Sequence, residues 1–165
     1  MRKLVVAVIG AALLAVAAQP AAAADLSVRL MGLRSLEGLV RFAVFDKADG
    51  FAESGEQIAN VDVPAEKLAS SQPVLVFEGL DPGVYAVVAH HDENGNLKFD
   101  TTFIGLPDEG YGFSNDAEAE LAAPEFEEAA FKLSEQGGEA SFHIVYWPET
   151  VERSAERDHN RLASR

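Results

Sequence analysis

The sequence predicts an all-β fold, a seven- to eight-stranded antiparallel β-sandwich, and three observations support this. Seven short runs alternate apolar and polar residues with period two, the pattern of strands that bury one face. Turn-forming clusters such as RSLEG, DPG and ENGN separate them, at the spacing of a small sandwich. The stretch of helix-forming composition, 115–128, contains Pro124 and no continuous apolar stripe, so a loop with at most one or two helical turns is expected there.

Taken in order, residues 1–24 join a basic start (Arg2, Lys3) to an apolar run and a small-residue end, Ala22-Ala23-Ala24. That is the pattern of a cleaved signal peptide, and it predicts an exported protein, periplasmic or secreted. The apolar run is shorter than the roughly 20 residues a spanning helix needs, so no membrane span is expected after cleavage. The β-sandwich domain is assigned to 25–148. Its first two strands, LSVRL (26–30) and GLVRFAVFD (38–46), flank RSLEG and read as a hairpin. A polar loop over 46–57 follows, with Phe51 folded back onto the body. Further strands are expected at 58–63, 74–78, 84–90, 130–133 and 140–147. The charged tail, 149–165, has no core face and reads as frayed or disordered.

With the leader removed, 141 residues remain, enough for one domain with a real core. There are no cysteines, which excludes a disulfide framework and a thiol nucleophile. The 13 basic residues fall to 11 with the leader against 27 acidic ones, a formal charge of −16. A chain of that charge repels nucleic acid and concentrates cations, so nucleic acid is not expected among its partners.

Chemistry-bearing residues concentrate after the strand at 84–90. Asp81-Pro82-Gly83 suits a type II turn into it, with φ > 0 at Gly83. Tyr85, Val87, Ala89 and His91 then share the core phase, His91 at the rim, while His90 lies opposite with Ala86 and Val88. In HHDENGNLKFD (90–100), Asp92, Asn94, Asn96 and Asp100 stand at positions 1, 3, 5 and 9 of a loop. Alternate oxygens of this kind suit a hard cation such as Ca²⁺. An EF-hand also needs glycine at position 6 and glutamate at position 12, where Leu97 and Phe103 stand. The competing reading is an Asx-rich turn in which these side chains bond their own backbone, and both readings stand. A zinc or copper site with His90, His91 and His143 is disfavoured, because neighbouring strand residues point to opposite faces.

GLPDEGYGFSND (105–116) supplies the second loop. Its glycines permit a tight irregular path, and Tyr111 and Phe113 form either an aromatic platform for a ligand or a plug closing one end of the sandwich. His91, Glu109, Tyr111, Phe113 and Asn115 are the candidate binding residues.

FEGLDPGVYAVVAHHD (77–92) resembles the turn-and-strand hairpin of prealbumin-like (Ig-like) sandwiches. HDENGNLKFDTTFIGLPDEGYGFSN (91–115) is similar to the signature of the bacterial domain-of-unknown-function family 2141, with Leu97 in place of a glycine and Thr102 in place of an asparagine. The resemblance implies an exported prealbumin-like sandwich and brings no activity with it. Asp92, Asn94, Asn96 and Asp100 also match the ligand spacing of a calcium loop in bacterial surface B domains, with one carboxylate and one glycine replaced.

Three functions follow as expectations. The first is a binding or accessory module for an unknown ligand, with Ca²⁺ as a structural ion of the loop and no catalytic residue. The second is a small metal-dependent or His/carboxylate hydrolase centred on His91, which requires His91, Asp92, Glu109 and Ser114 to converge. The third is a structural partner of an envelope protein, which requires an exposed apolar patch or a free sheet edge.

Overall fold

The computed structural model describes residues 23–53, 55–69, 74–119 and 122–148. The signal peptide expected over 1–24, apart from residues 23 and 24, and the tail expected over 149–165 therefore lie outside the described residues. Eight strands are present among those described: β1 (Ala24–Met31), β2 (Leu39–Phe45), β3 (Ala59–Pro64), β4 (Val74–Leu80), β5 (Gly83–Asp92), β6 (Gly110–Phe113), β7 (Phe131–Leu133) and β8 (Gly138–His143), with one short helix, α1 (Phe126–Ala129). They form an all-β sandwich. One sheet runs β4-β1-β8; the other runs β3-β2-β5-β6, with β7 also paired to β5.

The alternation accounts for the core. Leu26, Val28 and Leu30 of β1, Val40, Phe42 and Val44 of β2, Val87 and Ala89 of β5, and Phe142 of β8 are all buried in one cluster. Each large apolar side chain removed from water contributes about 1.5–3 kcal/mol before entropy is counted. Tyr85 completes the turn into β5 by donating its hydroxyl to Asp81 O at 2.6 Å.

Three expectations need correction. β1 and β2 are not a hairpin: the stretch 32–38, with Gly32 at φ 84 and Gly38 at φ 66, carries the chain from one sheet to the other. β1 pairs with β4 antiparallel and with β8 in parallel, so the sheets are antiparallel apart from that one pair. Second, Gly83 does not take a positive φ; the left-handed residue near this turn is Gly79, φ 75. Third, 110–113 is a strand rather than an irregular path. Its residues pair with β5 (Tyr111↔His90, Phe113↔Val88), and on its other edge Tyr111 and Val145 exchange backbone hydrogen bonds of 3.0 and 2.8 Å.

The five-stranded sheet is apolar on its outer face too. Phe45, Ala86, Tyr111, Phe113, Phe126 and Ala129 form a second buried cluster there. The loop over 46–57 folds Phe51 onto it, edge-on to Phe45 (5.4 Å) and Phe126 (5.6 Å). A sheet face that would otherwise meet water is thus roofed by loops, and that roof creates the candidate site.

Candidate functional site

A cavity of about 660 Å³ opens on this outer face, between the sheet, the loop over 97–107, and Ala52, Glu53, Gln57, Ala119, Ala122 and Ala123. Its floor comes from alternate residues of three strands: Arg41, Ala43 and Phe45 of β2, Val88 and His90 of β5, and Tyr111 and Phe113 of β6. Phe99 and Trp147 stand on its walls. An aromatic series crosses the floor, with Phe51 to Phe113 at 6.1 Å, Phe113 to Tyr111 at 6.1 Å, Tyr111 to Phe99 at 6.2 Å and Phe99 to His90 at 5.0 Å. Edge-on contacts of this kind contribute about 0.5–1.5 kcal/mol each beyond the area they bury.

The polar groups of the cavity are few and mostly engaged. Arg41 binds Asp62 through Nε at 3.0 Å and donates to Leu97 O at 2.8 Å. His90 Nε2 lies 2.7 Å from Glu109 Oε2, which also accepts from Asp100 N at 3.1 Å. Glu109 is 4% exposed, and its Oε1 has no hydrogen-bond partner among the described residues.

Of the residues singled out in sequence, Tyr111 and Phe113 line this cavity, and they do so on a sheet face rather than at an end of the sandwich. Glu109 stands behind His90. His91 points the other way, into the core, fully buried. Its Nε2–H donates to Glu37 O at 2.9 Å, which leaves Nδ1 to accept from the Tyr146 hydroxyl at 2.6 Å. Asn115 adopts φ 63 and donates Nδ2 to Ala130 O at 2.8 Å, fastening β6 to the chain after α1.

Nor are the four side chains of the hydrolase reading gathered around one point. His91 bonds Glu37 and Tyr146, and Glu109 bonds His90. Ser114 accepts from Val87 N at 2.9 Å and donates to Ala129 O at 2.6 Å. Asp92 accepts from Asn96 N at 3.1 Å and Leu97 N at 2.7 Å.

The last of these contacts belongs to a closed network. Asp100 Oδ2 receives both Asn94 Nδ2 (2.7 Å) and Asn96 Nδ2 (2.6 Å). Asn94 Oδ1 accepts from Asn96 N, and Asn96 Oδ1 from Lys98 N. The loop thus brings Asp92, Asn94, Asn96 and Asp100 together and satisfies them internally, as an Asx turn does. No group of three or more His, Asp or Glu side chains with metal-holding geometry occurs among the described residues.

Just after β5, Glu93 ties this end of the molecule to the sheet-crossing stretch. It accepts from Arg34 Nε at 3.0 Å and Ser35 Oγ at 2.8 Å. Desolvation alone would raise its pKa, but the hydrogen bonds from Arg34 and Ser35 outweigh it and hold the carboxyl below the usual range.

Residues 28–141 match the family model described as "Uncharacterized protein conserved in bacteria (DUF2141)". The chain belongs to this family. The DUF2141 match runs from β1 into β8 and takes in every cavity residue named above except Trp147. No curated protein and no solved structure matches the chain.

Sequence reasoning missed Arg41, Phe45, His90, Phe99 and Trp147 as cavity residues. The signal was present in the strand phase: Ala43 and Phe45, Ala86 and Val88, and Tyr111 and Phe113 make the outer positions apolar as well, which marks a face covered on both sides.

Proposed function

We propose that this protein is an exported, soluble binding module whose ligand, a small molecule with an apolar or aromatic body, lies in the cavity on the outer face of the five-stranded sheet. The observation that carries this reading is the cavity itself: about 660 Å³, floored by Val88, Tyr111 and Phe113 and walled by Phe99 and Trp147, within the size range of small-molecule sites. Export rests on the leader pattern of residues 1–24. Among the described residues no helix is long and apolar enough to cross a membrane.

Trp147 is the only tryptophan, so its emission reports the cavity directly. Titration with the neutral apolar dye N-phenyl-1-naphthylamine should give saturable energy transfer from Trp147, weakened in Phe99→Asp. Phe99 is 47% exposed, so that change disturbs the wall more than the core. Absence of saturable transfer sinks the reading.

Ca²⁺ enters this reading as a structural ion of the 92–100 loop. Binding requires the Asn94 and Asn96 amides to turn their oxygens toward Asp100. A melting temperature raised by millimolar Ca²⁺, reversed by EDTA and insensitive to Ca²⁺ in Asp100→Ala, supports the ion; an unchanged melting temperature removes it.

The envelope-partner reading has one observation in its favour. The hairpin over 101–107, closed by Thr102 N to Leu106 O at 2.7 Å, presents Phe103 fully exposed and Ile104 64% exposed. A photocrosslinker at position 103 that yields one discrete adduct in cells, lost in Ile104→Asp, supports it; no adduct argues against it.

A further inference from the structure

We infer that the ligand of this cavity is an organic cation, an aromatic or alkyl amine in its ammonium form, held over the aromatic floor and hydrogen-bonded to His90. The inference rests on the cavity being a ligand site and adds the chemistry that would recognise the ligand.

The charges on the walls carry the first step. Arg41 and Lys98 stand against Glu53 and Asp62, and Arg41 is already committed to Asp62 and Leu97 O. Among the described lining residues two positive and two negative side chains balance, and Glu109, just behind the floor, adds a further carboxylate. Its Oε2 takes His90 and Asp100 N, while its Oε1, buried in a residue only 4% exposed, has no partner. With His90 in its neutral form, this buried carboxylate keeps its negative charge and one unused oxygen, and a nearby positive charge lowers its energy.

The second step is the route by which that charge reaches the ligand. With Nε2–H donating to Glu109, the His90 ring keeps a lone pair on Nδ1, and no hydrogen bond is made there among the described residues. In that tautomer the second ring nitrogen of His90, a residue that lines the cavity, is an acceptor. An ammonium N–H is its natural complement. Around it, Phe99, Tyr111, Phe113 and Trp147 supply ring faces and edges, and an ammonium over an aromatic face gains further attraction. At long range, the formal charge of −14 on the whole chain draws cations toward the cavity and repels anions.

Three isosteres competing with N-phenyl-1-naphthylamine test this on the unmodified protein: 1-naphthylmethylamine as its ammonium, 1-naphthalenemethanol and 1-naphthoate. The ammonium should displace the dye at a concentration about tenfold below the alcohol, the factor that 1.4 kcal/mol supplies, with the naphthoate weakest. Added salt should weaken the ammonium and leave the alcohol unchanged. In Glu109→Gln, with each competitor referred to that variant's own dye affinity, ammonium and alcohol should come together; if that variant does not fold, the salt series on the unmodified protein decides. Equal displacement by ammonium and alcohol, or preference for the naphthoate, overturns the inference and leaves the binding site standing. A dye that does not bind at all removes both.

Discussion

At His91 both ring nitrogens are used in the core, Nδ1 by the Tyr146 hydroxyl and Nε2 by Glu37 O, whereas at His90 one nitrogen is held by Glu109 and the ring lines the cavity. Their substitutions should separate accordingly. His91→Ala opens a cavity and orphans the Glu37 carbonyl, so it should lower unfolding stability by about 3 kcal/mol while leaving the affinity for a neutral cavity dye unchanged. Urea unfolding and dye titration read the two effects, and loss of dye affinity in a folded His91→Ala protein would contradict the assignment. Leu97 offers a second residue-scale test. It holds φ 64, a conformation that costs a non-glycine residue roughly 1–2 kcal/mol. Leu97→Gly should raise stability by about 1 kcal/mol after the added chain entropy is counted, whereas Leu97→Ala, equally strained, should not. Equal effects of the two would show that the strain is relieved elsewhere.

Among the elements, β6 shows why glycines within 105–116 do not mark an irregular path at 110–113. Glycines at 110 and 112 looked like turn residues, yet they are required by close approach: a Cβ on Gly112 would sit 2.3 Å from His143 O, and one on Gly110 would sit 2.3 Å from the Tyr146 ring. They let β6 press against the end of β8 and the chain that follows it while Tyr111 and Phe113 face the cavity. Ser114 completes the same edge. β5 pairs with β6 over Val88 to His91 and with β7 over Gly83 to Tyr85, and at the join the Ser114 hydroxyl takes the Val87 N–H and reaches Ala129 O. Ser114→Ala should leave both groups buried without partners, costing about 2 kcal/mol, with Val87 amide exchange accelerated more than that of Ala89. Unchanged Val87 protection would rule out this role.

For the whole molecule, the end of the sandwich where the chain changes sheets is gathered by Arg34, which binds Glu93, lies 4.3 Å over the Tyr146 ring and is held in its charged form by the Glu93 hydrogen bond. Because the Glu93 carboxyl is held low in the fold, its contribution is present above its unfolded pKa of roughly 4.3 and is lost as pH falls through the lower folded value. Melting temperatures should therefore fall below about pH 4, and Glu93→Gln should flatten that fall while lowering stability near neutrality. A variant with the same acid slope as the unmodified protein would mean that other carboxylates govern acid unfolding.

Alternation along single strands was enough to determine that this chain forms an all-β sandwich with Phe42, Val44, Val87 and Phe142 inside, because which face of a strand is buried is a local property of period two. Asp92, Asn94, Asn96 and Asp100 were likewise legible as one oxygen-rich loop, a cation site or an Asx-rich turn, since their mutual contacts span only a few residues. Which strands pair, and what covers the outer face, are long-range matters. The same pattern in β1 and β2 serves equally for two strands side by side or face to face, and only packing put them in different sheets. The cavity follows from that choice: it needs β2, β5 and β6 as neighbours, loops from three parts of the chain as its roof, and Glu109 brought to His90. No periodicity within one segment records such a meeting.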